Sequence, residues 1–314
     1  MEWKSLAELD RRIVLWRNTI ALFHERNRPR FIGPFRKAGY AYRVETPLSI
    51  RRTGEERSPD IVASSPSGWL VIELTCNDHS KADKLDSYRK IDPRNLGLYG
   101  LQIHQSAPDT ICSRLSEVDD GEHSQIIVKD TVVVKKADLL SDEALKLALL
   151  DFSGTDLTRL PTIPISLLPE SKNHEVRRGL VAIVMQIFQP DSKGKTAYQM
   201  VEEGLDKLSD KIGAGRKTAM KRKVEKEMEV LMNHYLKGYL ELKDDGSYVP
   251  TGRFREHPKT LERISSALQE WAYTEQQCLK LPDLGAVECD GRGSEDGYTP
   301  EGDRTTSDPG SFMR

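Results

Sequence analysis

Two carboxylates and two lysines make the first chemical suggestion in this sequence. Asp60 follows Pro59 at the head of a short apolar run ending at Ala63. Glu73 stands inside a second run, Trp69-Leu-Val-Ile-Glu-Leu-Thr75, and a Ser/Pro/Gly turn from Ser64 to Gly68 lies between them. Two such runs joined by so short a turn read as an antiparallel hairpin, which brings Asp60 and Glu73 near the same end of neighbouring strands. A lone Glu among Trp, Leu, Val and Ile has no packing role, and an unpaired buried carboxylate is costly. The pair calls for a cation, and Mg²⁺ (or Mn²⁺), which keeps several waters and accepts phosphate oxygens, suits it. Downstream, Ser80 and Asp83 have near capping-box spacing, so a helix is expected from Lys81. Lys81, Lys84 and Tyr88 then share a face that leans over the strand ends. Such a set would hydrolyse a phosphodiester with metal assistance, a lysine ammonium steadying the attacking water and the charge on phosphorus. The plainer alternative makes Asp60 a turn residue, Glu73 the partner of an Arg such as Arg43, and the lysines a solvated helix face.

The Pro59-Asp60 pair, the hairpin, the Glu73-Leu74-Thr75 strand end and the following helix resemble the PD-(D/E)xK nuclease superfamily, which has the restriction-endonuclease-like fold. The resemblance covers residues 1 to 135. It implies an Mg-dependent endodeoxyribonuclease, a hydrolase of restriction, phage-defence or mobile-element processing type, with DNA as partner and Asp60, Glu73 and the Leu74 carbonyl as metal contacts. Thr75 stands where the family pattern has Lys. Some members draw the lysine from the next helix, which makes Lys84 the first choice here and Lys81 the reserve. Glu25, on the expected first helix, and Thr75, His79 and Tyr88 are further candidates. Two rival readings stay open. Thr75 marks an inactivated nuclease fold serving as a DNA-binding or scaffold subunit, or the chain is a helical interaction protein whose sheet is merely structural. Protein partner subunits and oligomerisation are left open.

The elements expected to position these residues are a first amphipathic helix from Ser5 to about Arg26, built on Leu6, Leu9, Ile13, Trp16, Ile20 and Phe23, and a strand from Tyr40 to Ile50, where Pro47 suggests a bulge or edge. A charged turn, Arg51–Arg57, leads into the Asp60 strand. Gly97–Ile103 is read as a fourth strand, parallel after a right-handed crossover, Gln125–Val134 as one further strand and Asp142–Phe152 as a short helix. The fold class is thus α/β (α+β), a mixed sheet flanked by helices. The domain reading is 1–138 nuclease-like, 139–170 connecting, 171–281 helical, and 282–314 a disordered acidic tail.

The second half is helical, with Asn173–Phe188 apolar nearly all round, then Thr196–Lys211, a Gly213-Ala-Gly215 break, and Lys217–Lys237. Arg216, Lys217, Lys221, Arg222 and Lys223 cluster at the start of that last helix. A hairpin follows, with Asp245-Gly246 as its turn. Three helices, the last basic, and a hairpin are the order of a winged helix, which would lay the basic helix in a DNA major groove; a solvated basic face is the alternative. A final helix is expected over Pro258–Lys280.

The 314 residues suggest about two domains. With 37% hydrophobic and 31% charged residues and a net charge of −2, the chain reads as polar and globular. From Asp283 onward eight acids stand against three arginines, so the body is slightly basic. No run nears the ~18 apolar residues of a membrane span, and the N-terminus lacks the apolar core of a signal peptide, so no membrane partner and a cytoplasmic location are expected. Cys76, Cys112, Cys278 and Cys289 form no C-x-x-C pair, against zinc knuckles and disulfide scaffolds. Gly213–Thr218 lacks P-loop spacing, and neither G-x-S-x-G nor H-E-x-x-H occurs.

Overall fold

The computed structural model describes residues 8–27, 30–51, 53–76, 81–119, 121, 123–157, 165–254 and 257–279. His79, the Ser80 helix entry, the Pro161 to Pro164 crossing and the 282–314 tail lie outside the described residues.

The chain opens with α1 (Glu8–Ala21), a short antiparallel ribbon of β1 (Glu25–Asn27) and β2 (Arg30–Ile32), and one turn of helix, α2 (Pro34–Lys37). Then come β3 (Ala41–Val44), β4 (Leu48–Ser49) with its antiparallel partner β5 (Glu56–Arg57), β6 (Ile61–Ser64), β7 (Trp69–Thr75) and α3 (Ala82–Tyr88). β8 (Asp109–Arg114), β9 (Ser124–Val128), β10 (Val132–Lys135) and α4 (Glu143–Phe152) follow. Among the described residues six strands form the central sheet, in the order β10-β9-β8-β7-β6-β3. Its β3, β6 and β7 run antiparallel, β7, β8 and β9 parallel, and β10 turns back antiparallel on β9. The sheet is mixed and covered on both faces. Leu15, Trp16 and Ile20 of α1 pack with Leu70, Ile72 and Ile111 on one side, and Leu85 and Tyr88 of α3 pack with Trp69, Val71 and Val62 on the other. Burial on both faces is why β7 is apolar almost throughout.

Several expectations need correction. Gly97–Ile103 is not a strand: Asp92 accepts a bond from Arg94 N at 3.1 Å, Pro93 follows at the first helical position, and the segment Pro93–Tyr99 winds as a 3₁₀ helix stopped by left-handed Gly100. The strand parallel to β7 is β8, further along. The run Gln125–Val134 is a hairpin, not one strand, because the polar Lys129-Asp130 pair turns the chain between β9 and β10. Glu25 is not on α1, which ends at Ala21; it lies on β1, exposed, 3.5 Å from Arg36.

Beyond α4 the chain runs α5 (Asn173–Ile187), β11 (Lys195–Thr196), α6 (Ala197–Leu205), α7 (Ala214–Val230), β12 (Leu240–Leu242), β13 (Ser247–Pro250) and α8 (Pro258–Leu279). The single helix expected over Thr196–Lys211 divides: Asp206 takes a positive φ of 46° and the rest continues as a 3₁₀ helix. The longer one starts at Ala214, capped by Gly213, and its last turn, Leu231–Tyr235, widens to π geometry. β13 pairs with both β11 and β12. No described helix is long and apolar enough to cross a membrane.

A single buried cluster runs from Leu15 and Trp16 through Ile72 and Ile165 to Leu180, Val224 and Trp271, so the sheet and the helical half share one core. The seam between them is an extended segment around Leu167, and two glycines let it in. Ser166 N and Leu167 N both donate to Gly204 O (2.8 and 2.9 Å). A Cβ on Gly179 would stand 2.3 Å from Ser166 O, and one on Gly204 2.5 Å from Leu167 Cδ1. Helical Gly→Ala ordinarily stabilises by about 1 kcal/mol. Here the sign should reverse: Gly179→Ala is expected to cost about 1–3 kcal/mol through overpacking, read as a lower urea midpoint at unchanged slope. A midpoint at or above the parent's would mean that the segment is not seated there.

Candidate active site

The ladder between β6 and β7 ends with Ile61 opposite Ile72. One residue further, Asp60 and Glu73 stand opposite each other, and directly opposed residues point to the same face. Past the ladder, Leu74 N finds no backbone acceptor on β6. It donates instead to Asp60 Oδ2 at 2.6 Å. On the other side Glu45 N donates to Asp60 O at 3.0 Å. Asp60 is therefore fixed by both neighbouring chain segments.

Alternation along β7 puts Trp69, Val71, Glu73 and Thr75 on the face that α3 covers. Leu85 and Tyr88 anchor α3 there, and one turn of the helix carries Lys84 over the strand end. Lys84 Nζ pairs with Glu73 Oε1, and Tyr88 OH donates to Glu73 Oε2 at 2.8 Å. The Glu73 carboxylate, only 2% exposed, thus has a partner on each oxygen.

Asp60, Glu73, Leu74, Thr75, Lys81 and Lys84 all line one pocket of about 320 Å³. Thr75 is buried and brings a hydroxyl to this lining. Lys81 flanks α3 at its N-cap position instead of opening it. Glu25 contributes to a different pocket, beside Arg36 and Tyr40. The same 320 Å³ pocket includes Arg12, Glu170 and Lys172, which sequence reasoning missed. Arg12 binds Glu170 at 2.5 Å and Glu175 at 2.7 Å, and Arg11 donates to Cys76 O at 2.6 Å. The available signal was the Arg11-Arg12 pair in a helix whose other face is apolar. The basic residues of α7 are placed elsewhere. Arg216 lies 3.5 Å from Glu45, Lys217 3.4 Å from Glu202 and Lys221 3.2 Å from Glu225, Lys223 donates to Ser171 O at 2.7 Å, and Arg222 is exposed.

Electrostatics set Asp60 apart. Burial and the nearby Glu73 charge hold its carboxyl well above the usual range, with the Leu74 N–H only partly offsetting them. Burial lowers the Lys84 ammonium, but the pull of Glu73 outweighs it and leaves the ammonium raised. Burial and Glu73 together push the Tyr88 hydroxyl up. Among the described residues no group of three or more His, Cys, Asp or Glu side chains gathers as a metal cluster. Two carboxylates, one of them reluctant to ionise, nonetheless fit a hard divalent cation that keeps most of its waters.

If Asp60 is strained by its own charge, neutralising it should stabilise the metal-free chain. A carboxyl whose folded pKa is raised contributes stability at low pH that is lost as pH rises through that pKa. Asp60→Asn keeps an acceptor for Leu74 N and removes the charge. The expected result is a melting temperature a few degrees above the parent's at pH 7, converging near pH 3, together with loss of any Mn²⁺-induced stabilisation. Equal melting at pH 7 would count against the strained pair.

Compared with known proteins, the chain matches no family model, no curated protein and no solved structure, so the reading of this site rests on its own residues.

Proposed function

We propose that the chain is a metal-dependent endonuclease of PD-(D/E)xK type that hydrolyses phosphodiester bonds of DNA. The observation that carries this reading is the meeting of Asp60, Glu73 and the Lys84 ammonium in one pocket at the end of a hairpin. Asp60, Glu73 and the Leu74 carbonyl would hold Mg²⁺ or Mn²⁺, and the ion, when bound, supplies Lewis acidity to the phosphate. Lys84 orients the attacking water and offsets charge growing on the phosphoryl oxygens. Tyr88 fixes the Glu73 carboxylate from the opposite side, so that the carboxylate is already oriented before substrate arrives. Lys81 and Lys172 make the pocket receptive to a polyanion.

The DNA partner is supported by the helical half. What supports a winged-helix reading is the order α5, β11, α6, α7, β12, β13 with β11 hydrogen-bonded to β13. In that reading α7 enters the major groove and the Lys243–Gly246 turn touches the backbone. One observation favours a second reading, a catalytically inactive DNA-binding scaffold: Lys84 and Tyr88 already satisfy Glu73 without any metal ion, and Thr75 adds no ammonium.

Nicking of supercoiled plasmid with Mg²⁺ or Mn²⁺ separates the two. The parent should cut, and Glu73→Gln should not. Lys84→Met, which keeps the stem, should cut about 100-fold more slowly with little change in DNA affinity, as for a contact made mainly in the transition state. Full activity in Lys84→Met would remove that lysine from the chemistry, and an inert parent would favour the scaffold.

Neutralising Lys217, Lys221 and Arg222 together tests the DNA-reading helix. Each lost phosphate contact should reduce the slope of log K against log salt by about 0.9. An unchanged slope would mean that this helix does not face DNA.

A further inference from the structure

A second cavity, of about 740 Å³, opens between the β3–β4 connection and the N-terminus of α7. Its volume is that of a small-molecule site. Val44, Pro47, Leu98 and Ile212 give it apolar walls beside Tyr99. The walls are braced: Arg43 donates from Nε to Tyr99 O at 2.9 Å and from Nη1 to Asp210 O at 3.0 Å, and Tyr99 OH donates to Pro47 O at 2.8 Å.

Glu45 lines this cavity at 6% exposure, and its Oε2 has no hydrogen-bond partner. Arg216 Nε, 3.5 Å away, attracts it without completing a bond. A buried acceptor left unsatisfied costs more than a bond gains, and Glu45 also holds a left-handed φ of 43°, an outlier for a glutamate. A carboxylate beside an arginine does not suit a cation. It suits a neutral ligand edge that donates N–H bonds.

Beside Glu45 and Asp210 the lining also carries cations. Lys211 and the half-exposed Arg216 stand there, and α7 begins with no side-chain cap. At Gly213 and Gly215 the space a Cβ would meet is open, and with Arg216 N already bonded to Gly213 O the N–H groups of Ala214 and Gly215 are the ones left to face an anion.

We propose that this cavity binds a guanine nucleotide, free or as an unpaired residue of a bound strand, with the base edge on Glu45 and the phosphate at Arg216, Lys211 and the start of α7. Guanine presents adjacent N1–H and N2–H donors that a carboxylate accepts together, whereas adenine offers only its amino group on that edge. The cavity adjoins the nuclease site, since Glu45 N is bonded to Asp60 O. It extends the nuclease reading with a nucleotide subsite but stands on the cavity alone.

Calorimetry on the full chain without metal, using guanosine, inosine and adenosine 5′-monophosphates, tests the site. The guanosine nucleotide should bind saturably and about tenfold more tightly than either of the others. Inosine, which lacks the 2-amino group, probes the edge without changing the protein. Glu45→Gln should erase the preference, and Arg216→Gln should weaken all the nucleotides while keeping it. In Asp60→Asn, a single-stranded oligonucleotide with one guanine that competes with the mononucleotide marks a strand residue as the ligand, and independent binding marks a free nucleotide. Absence of saturable binding at millimolar concentration, equal affinity for the guanosine and inosine nucleotides, or an unchanged preference in folded Glu45→Gln would overturn the proposal. A chain that binds the guanosine nucleotide yet cuts no DNA keeps this site and loses the nuclease reading.

Discussion

The arrangement of the sheet end depends on keeping a single carboxylate, Glu73, out of water. Glu73 is the only charged residue in a strand that helices cover on both faces, and an ion in such a place is costly unless its partners are close and well aimed. α3 provides them. It is a short helix with no side-chain cap at its start, anchored by Leu85 and Tyr88. The polar contacts from Lys84 and Tyr88 act in the same direction as that apolar anchoring, so α3 is fixed over the strand end by both at once. The opposed Asp60 accepts instead from the Leu74 N–H, and burial beside the Glu73 charge outweighs that bond and the pull of Lys84, holding its carboxyl well above the usual range.

Much of this was legible in the chain itself. A lone Glu in an apolar run, a Pro-Asp at the head of the preceding run and a turn too short for any other connection are local signals, and they fixed the hairpin and its face. The placement of Lys84 followed from helical spacing. What escaped the sequence was mostly nonlocal or conformational. Gly97–Ile103 carries strand-like residues, but Asp92-Pro93 and Gly100 at its edges decide its shape, and such caps are easily outvoted by composition. Arg12 and Glu170 are far apart in sequence, and no periodicity links them. Glu45 gives no sign in its neighbours that it will be buried at a positive φ.

The helical half shows the same division. Its helices and hairpin were readable from apolar spacing and an Asp-Gly turn. The basic cluster on α7 was readable as a cluster, yet several of its members are tied to acids or to a carbonyl of this same chain. Charge counted along a sequence therefore overstates the charge a helix has left to offer a partner, and Arg222 is the member that points outward most plainly.

The way Arg12 reaches Glu170 and Glu175 bears on what counts as the working unit. One wall of the acid pocket comes from α1 and the hairpin, another from residues that follow the proline-rich crossing. A fragment ending at residue 138 would keep the motif and lose Glu170 and Lys172, leaving Arg12 with neither of its carboxylates. The smallest piece able to present a complete pocket is thus longer than the piece that bears the recognisable pattern, and a truncation drawn at the motif's edge would cut through the site it was meant to isolate.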